Sequence, residues 1–259
     1  MNIRVIVLAV VSLSCSMSLF AQTDRTEALE SADQNGWEYE LKAGVNIGGS
    51  SPLPIPVEIR KITSYNPRFN GTIEGTATKW LGEDRQWGVS VGLKLEEKGM
   101  ITGARVKNYR TEIVDEGSHI AGYWTGDVQT DYHSTLLTIP VMGNYRINDR
   151  WKVRAGVYSS IKLDGNFSGH VSNGYLREGT PVGQKLTFDE GRTAFYDFSS
   201  SLRSLHWGAQ AGATWRAFNH FTINADMIWA ANVIFKKDFK TISFKLYPIY
   251  LNIGFGYRF

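Results

Sequence analysis

Residues 249–259 read IYLNIGFGYRF. The odd positions Ile249, Leu251, Ile253, Phe255, Tyr257 and Phe259 are large and apolar, whereas Tyr250, Asn252, Gly254, Gly256 and Arg258 between them are polar or small. A period of two marks a β-strand with one oily face, because successive side chains point to opposite sides of the chain. Terminal residues of soluble chains are commonly unpaired and polar. An apolar row running to a final aromatic therefore asks which solvent it meets.

The same alternation recurs upstream. It carries Trp37, Tyr39, Leu41, Ala43, Val45 and Ile47; Phe69, Ile73 and Ala77, more weakly; Trp87, Val89, Val91, Leu93 and Leu95; and Leu137, Ile139, Val141, Tyr145 and Ile147. It continues through Trp151, Val153, Ala155, Val157 and Ile161; Leu205, Trp207, Ala209, Ala211, Ala213 and Trp215; and Phe221, Ile223, Ala225, Met227 and Trp229. With the terminus, this predicts eight strands. Short polar turns, LGEDRQ, INDR and AFNH, join strands 2–3, 4–5 and 6–7, whereas long segments of roughly residues 48–68, 99–134 and 165–202 separate strands 1–2, 3–4 and 5–6. Short turns on one side and long connections on the other predict an all-β, eight-stranded antiparallel up-and-down transmembrane barrel.

Aromatic placement assigns the oily face. Trp37, Trp80, Trp87, Trp151 and Trp215 fall at the short-turn ends, with Phe218, Phe221, Tyr257 and Phe259. Trp207 and Trp229 lie eight positions from Trp215 and Phe221, roughly 20 Å along a membrane normal for tilted strands. Two aromatic girdles are expected on a lipid-facing band. The odd row is almost free of charge. The even row holds Glu38, Glu40, Glu74, Glu96 and Asp226 against Lys42, Lys94, Arg146, Lys152, Arg154, Lys162 and Arg258. Lys or Arg facing lipid at mid-depth would cost about 2–4 kcal/mol each, so these charges are expected inside. Eight strands leave an interior that side chains fill, and the charges, with Asn144, Gln210, Asn224 and Asn252, are expected to form a salt-bridged plug. A narrow solute path is the alternative.

The chain has 259 residues, 42% apolar and 20% charged, with a formal net charge of +3. These values exclude a disordered chain and give no basis for nucleic-acid binding. Arg4, the apolar run VIVLAVVSL and SLFAQ predict a secretory leader of residues 1–21, cut after Ala21. Residues 22–36 read as a polar periplasmic linker and 37–259 as the barrel. The one cysteine, Cys15, falls in the leader, so no disulfide framework is expected. An even strand count places both termini on the short-turn, periplasmic side.

The long segments offer candidates for recognition. In GYWTGDVQTDYH, Tyr123, Trp124 and Tyr132 stand among Asp127 and Asp131; exposed aromatics beside carboxylates grip sugars or peptides, and the same residues also read as strand continuations above the bilayer. No metal-ligand spacing is present. His206 lies near Ser204 and Gln210, but no third orienting group or oxyanion donor completes a catalytic set, so neither enzymatic activity nor a cofactor is expected.

Together, PLPIP, EIRKI, SYNP, EEKGM, RVKNY, GYWTG, TIPVM, LYPIY and GFGYRF resemble the PorT-like outer-membrane β-barrel family of Bacteroidetes, over about residues 37–259. The resemblance implies an eight-stranded barrel in a Gram-negative outer membrane. Its namesake is linked to protein export by a dedicated secretion system, and no catalytic positions carry over. Ile253, Phe255, Tyr257 and Phe259 resemble the C-terminal signal read by outer-membrane assembly machinery. Expected partners are therefore outer-membrane lipids, that machinery, and an extracellular or envelope protein.

Overall fold

The computed structural model describes residue 29, residues 31–115 and residues 117–259. The expected leader, its cut after Ala21 and most of the linker lie outside the described residues. Ten antiparallel strands form one sheet: β1 (Trp37–Pro52), β2 (Ile59–Asn66), β3 (Gly71–Leu81), β4 (Trp87–Asp115), β5 (Ser118–Arg146), β6 (Trp151–Glu178), β7 (Lys185–Asp197), β8 (Leu205–Arg216), β9 (Phe221–Ala230) and β10 (Leu246–Arg258). Eight of them, all but β2 and β7, make a closed ring. β10 seals it against β1, from Glu40 opposite Arg258 to Pro52 opposite Leu246. Closure gives every spanning strand two neighbours, which is what a backbone in hydrocarbon requires.

The alternation assigned from sequence sets the faces. Leu93, Val157 and Phe255 are 57%, 61% and 63% exposed on the outside, while Lys94 and Glu96 are 1% exposed inside. The three expected short turns close one end. At β5–β6, Asn148 Oδ1 accepts from the backbone N–H groups of Arg150 and Trp151, each at 2.9 Å. The end of the linker caps this rim: residues 31–34 make a helical turn, and the Gly36 carbonyl accepts from the Trp80 N–H at 2.7 Å. Trp80 departs from the expected outer girdle. It is buried, its Nε1 donates to Glu38 Oε2 at 3.2 Å, and Arg146 stacks 4.1 Å from its ring. Its even position puts it on the inner row.

The other end is not a set of loops. β4, β5 and β6 run 29, 29 and 28 residues, against about 9–11 needed to span a bilayer. Residues 99–134 are thus mainly strand, and the sheet widens above the barrel. β2 joins the edge of β4 beyond the start of β3, and β7 joins β6 where β8 has not yet begun, reaching back to β4 through Val114 and Phe195. A fourth long connection, residues 231–245 between β9 and β10, was not among the three expected; it folds into this head.

Polarity inverts along the long strands. On β5, inward Asn144 and Thr138 lie below, whereas inward Tyr132, Val128 and Trp124 lie above. Outward Val141 and Ile139 give way to His133, Asp131 and Asp127. The barrel is oily outside and polar inside; the head is the reverse, as burial in water demands. Its core includes Ile113, Trp124, Phe167, Val171, Leu176, Phe188, Phe198, Leu202, Ile234 and Phe235.

Candidate functional site

The barrel interior is filled by clustered polar networks stacked along its height. Near the short turns, Glu38 accepts from Lys152 Nζ at 2.9 Å and stands 3.4–3.5 Å from the guanidinium groups of Arg258 and Arg146. At mid-height, Arg154 embraces Asp226 through two hydrogen bonds, Nε to Oδ1 at 2.7 Å and NH2 to Oδ2, and also donates to Thr214 and to Asn224 Oδ1. Glu40 accepts from Thr222 and lies 3.4 Å from Lys152, while Lys42 donates to Glu74 at 3.3 Å. Higher still, Glu96 gathers Lys94 at 3.0 Å, Lys98 at 2.9 Å, Thr138 at 2.7 Å and Asn46 at 3.1 Å.

The residues expected inside are therefore brought together, with two refinements. Lys98, one step beyond Glu96 on the even row, belongs to the network although the apolar alternation of the odd row stops at Leu95. Lys162 is partly exposed at the upper rim. The space between Glu40, Lys42, Glu74 and Arg154 is a cavity of ≈ 10 Å³, about room for one water.

The loop candidates fare differently. Trp124 is fully buried with its ring edge-on to Phe188 at 5.4 Å, and Tyr132 is 2% exposed beside Phe167. Neither is the exposed aromatic grip expected: even positions point inward here as they do below. Tyr123, Asp127 and Asp131 face outward, but both carboxylates are engaged. Asp127 lies 3.5 Å from Arg105 Nε and accepts from Asn173 Nδ2 at 3.3 Å; Asp131 pairs with Arg68. Burial pushes the Tyr109 and Tyr196 phenols above their ordinary range, opposed at Tyr196 by its hydrogen bond with Thr130.

The pocket that sequence reading missed is in the head. It has a volume of ≈ 390 Å³, lies between β2 and the upper ends of β1 and β10, and is walled by Met100, Val106, Val128, Phe167, Phe244 and Leu246 among others. Phe244 and Leu246 come from or adjoin the unforeseen fourth connection. The inverted alternation of β4 and β5 was the available signal. Among the described residues, no three His, Cys, Asp or Glu side chains converge as a metal cluster. His206 is buried on the inner row opposite Ser160.

The terminal aromatics line the closing seam from outside. Tyr257 sits opposite Leu41 and Phe221, and its ring meets those of Phe221 and Phe259 edge-on at 5.5 and 5.1 Å. The Phe259 N–H donates to the Tyr39 carbonyl at 3.0 Å.

Residues 20–236 match the family described as outer membrane protein beta-barrel domain. No curated protein matches the chain. Among solved structures, Ail, the attachment invasion locus protein of Yersinia pestis, is 12% identical with a TM-score of 0.37, covering 86% of this chain and 97% of that one. The same protein in complex with the heparin analogue sucrose octasulfate is 13% identical, with a TM-score of 0.37 and coverages of 86% and 99%. Neisserial surface protein A is 11% identical, with a TM-score of 0.33 and coverages of 86% and 97%. The family match spans most of the sequence, and the chain belongs to the outer membrane protein β-barrel domain family, a protein of the cell outer membrane.

Proposed function

We propose that the protein is a non-enzymatic, non-conducting membrane anchor carrying an extracellular head that binds a partner or ligand. In this reading residues 1–21 are removed as a leader, 22–36 form a periplasmic linker, and 37–259 form the barrel with both termini in the periplasm. The head then stands outside the cell. The observation that carries the reading is the contrast between the two halves. The barrel interior is packed with mutually paired charges, around a cavity of ≈ 10 Å³ at mid-height and one of ≈ 30 Å³ at the short-turn mouth, whereas the head has its own apolar core and a pocket of ≈ 390 Å³. Of the stretches resembling PorT-like proteins, EIRKI, SYNP, RVKNY and GYWTG fall in the head, which points to the head as the working part.

That placement also favours a second reading, an accessory subunit of protein secretion across the outer membrane. The two readings differ in the partner. Photo-cross-linking from Tyr123 on living cells is expected to give an adduct, with an extracellular molecule in the first case and an envelope protein in the second. The non-conducting barrel is tested in planar bilayers. Refolded protein is expected to be silent; discrete steps that persist across preparations overturn the plug and support a narrow solute channel.

A further inference from the structure

The oily outer rows of β1 and β10 do not end at the top of the barrel. On β10, Ile253 and Leu251 are 42% and 39% exposed to the surroundings, and Ile249, the next outward residue, lines the pocket. On β1, Val45 and Ile47 are followed outward by Gly49 and Ser51, which also line it. Gly49 lies opposite Ile249 in the register. These strand tips pass beneath the head, so that their outer face meets the inner face of β4 and β5. Glycine at position 49 permits this: a Cβ there would collide with Met100 Sδ. The floor of the pocket is thus the upward continuation of the lipid-facing surface, and its roof is Met100, Ala104, Val106 and Val128.

β2 forms the flank. Ile62 and Tyr65 line the pocket while 57% and 51% exposed, and the Tyr65 hydroxyl donates to the Gly48 carbonyl at 2.8 Å, tying β2 to β1. The lining is apolar except for a few groups, of which Thr102 Oγ1 is buried without a hydrogen-bond partner among the described residues. At ≈ 390 Å³ the volume sits at the low end of small-ligand sites, about 300–1,000 Å³. That volume suits one hydrocarbon chain and is too small for a folded peptide.

We infer that this pocket takes one acyl chain of an outer-leaflet lipid, which slides up the oily face of β1 and β10 and enters sideways. The headgroup stays outside, and Thr102 Oγ1 offers a donor to an ester carbonyl. This deepens the reading of the head as a binding unit and rests on it.

The test uses the full mature chain in nanodiscs, with a diazirine placed in the acyl chain of a phospholipid in one arm and in free palmitic acid in the other. After illumination, mass spectrometry maps the adducts. The expected result is phospholipid labelling of Met100, Phe167 and Phe244, beyond the general labelling of Leu251 and Ile253. It falls about tenfold or more, the equivalent of about 1.4 kcal/mol, in Ala104→Trp, which fills the pocket. Folding of the variant is checked by its shift between boiled and unboiled samples in SDS; if it does not fold, Ile62→Trp on the exposed strand β2 meets the same criterion. Labelling confined to Leu251 and Ile253 overturns the inference, as does labelling by free palmitic acid alone, which would place entry from the water. Either failure alongside a retained Tyr123 adduct removes the lipid and keeps the head; loss of that adduct removes the head's role as well.

Discussion

Replacing Arg154 with methionine tests whether the barrel interior is a plug whose members depend on one another. Arg154 and Asp226 are 5% and 3% exposed and joined by two hydrogen bonds. Removing one member of a buried pair leaves an uncompensated charge and typically costs about 3–5 kcal/mol. Lys42 and Lys94 also act on Asp226, which favours the lower end of that range. The folded-to-unfolded ratio is thus expected to fall at least roughly 10²-fold, at about 1.4 kcal/mol per decade. The double variant Arg154→Met/Asp226→Leu removes both charges. Thr214 Oγ1 already donates to Asn224 Oδ1 at 2.7 Å, so neither polar neighbour is orphaned, and stability is expected to return to within about 1–2 kcal/mol of the parent. Urea titration of the barrel in vesicles, followed by tryptophan fluorescence, measures all three. A single variant as stable as the parent, or a double variant no better than the single, refutes the reasoning.

Other outcomes follow from the head and the seam. Trp124→Ala is expected to cost about 3–5 kcal/mol, confined to the head: amide exchange should quicken in the upper parts of β5 and β7 and stay slow in β9 and β10, and uniform acceleration would contradict a separate core. Deleting Phe259 removes the N–H bond to Tyr39 and the ring against Tyr257. The fraction of inserted, heat-modifiable protein is expected to fall severalfold in cells, and unchanged assembly would remove the signal assigned to Ile253, Phe255, Tyr257 and Phe259. Tyr109 and Tyr196 have phenols raised above the usual value of about 10. The folded head holds their protons more tightly than the unfolded one, so this contribution is complete below about pH 10 and is lost as pH rises beyond it. Near-ultraviolet dichroism should show the head loosening in that alkaline range; a head equally stable there would contradict the burial.

The barrel was legible because lipid outside and packed charge inside impose opposite demands on alternate residues. Leu93 beside Lys94 is enough to assign the faces. Trp80 misled because its neighbours in the girdle, Trp37 and Trp87, are odd-numbered and outward, whereas its own indole N–H needs the Glu38 carboxylate. The head was hidden by the same rule that revealed the barrel. Above Lys98 the outside solvent becomes water, so Arg105 and Asp127 face out while Val106 and Trp124 face in. A reader following one phase sees the pattern break after Leu95, and only the stretch GYWTGDVQTDYH also reads as strand continued above the bilayer, as β5 shows it to be. A bulge between Val106 and Tyr109 then shifts the phase by a further residue, carrying Tyr109 and Ile113 inward from odd positions. Residues 231–245 have few strand residues and no periodicity, and only their packing in three dimensions shows that Ile234 and Phe235 are core.

The pairing of β10 with β1 has a consequence for how the molecule is made. Arg258 and Glu38, 220 positions apart, lie across the same seam. Contacts of such high sequence separation slow folding, since the entropy of joining the ends is lost before the contacts repay it. Synthesis and export must finish before the sheet can close, and until then β1 presents an unpaired edge, the kind that recruits other chains. The time between the appearance of Trp37 and that of Phe259 is therefore an interval of exposure, and whatever escorts the chain across the periplasm must cover the first strand until the last one arrives.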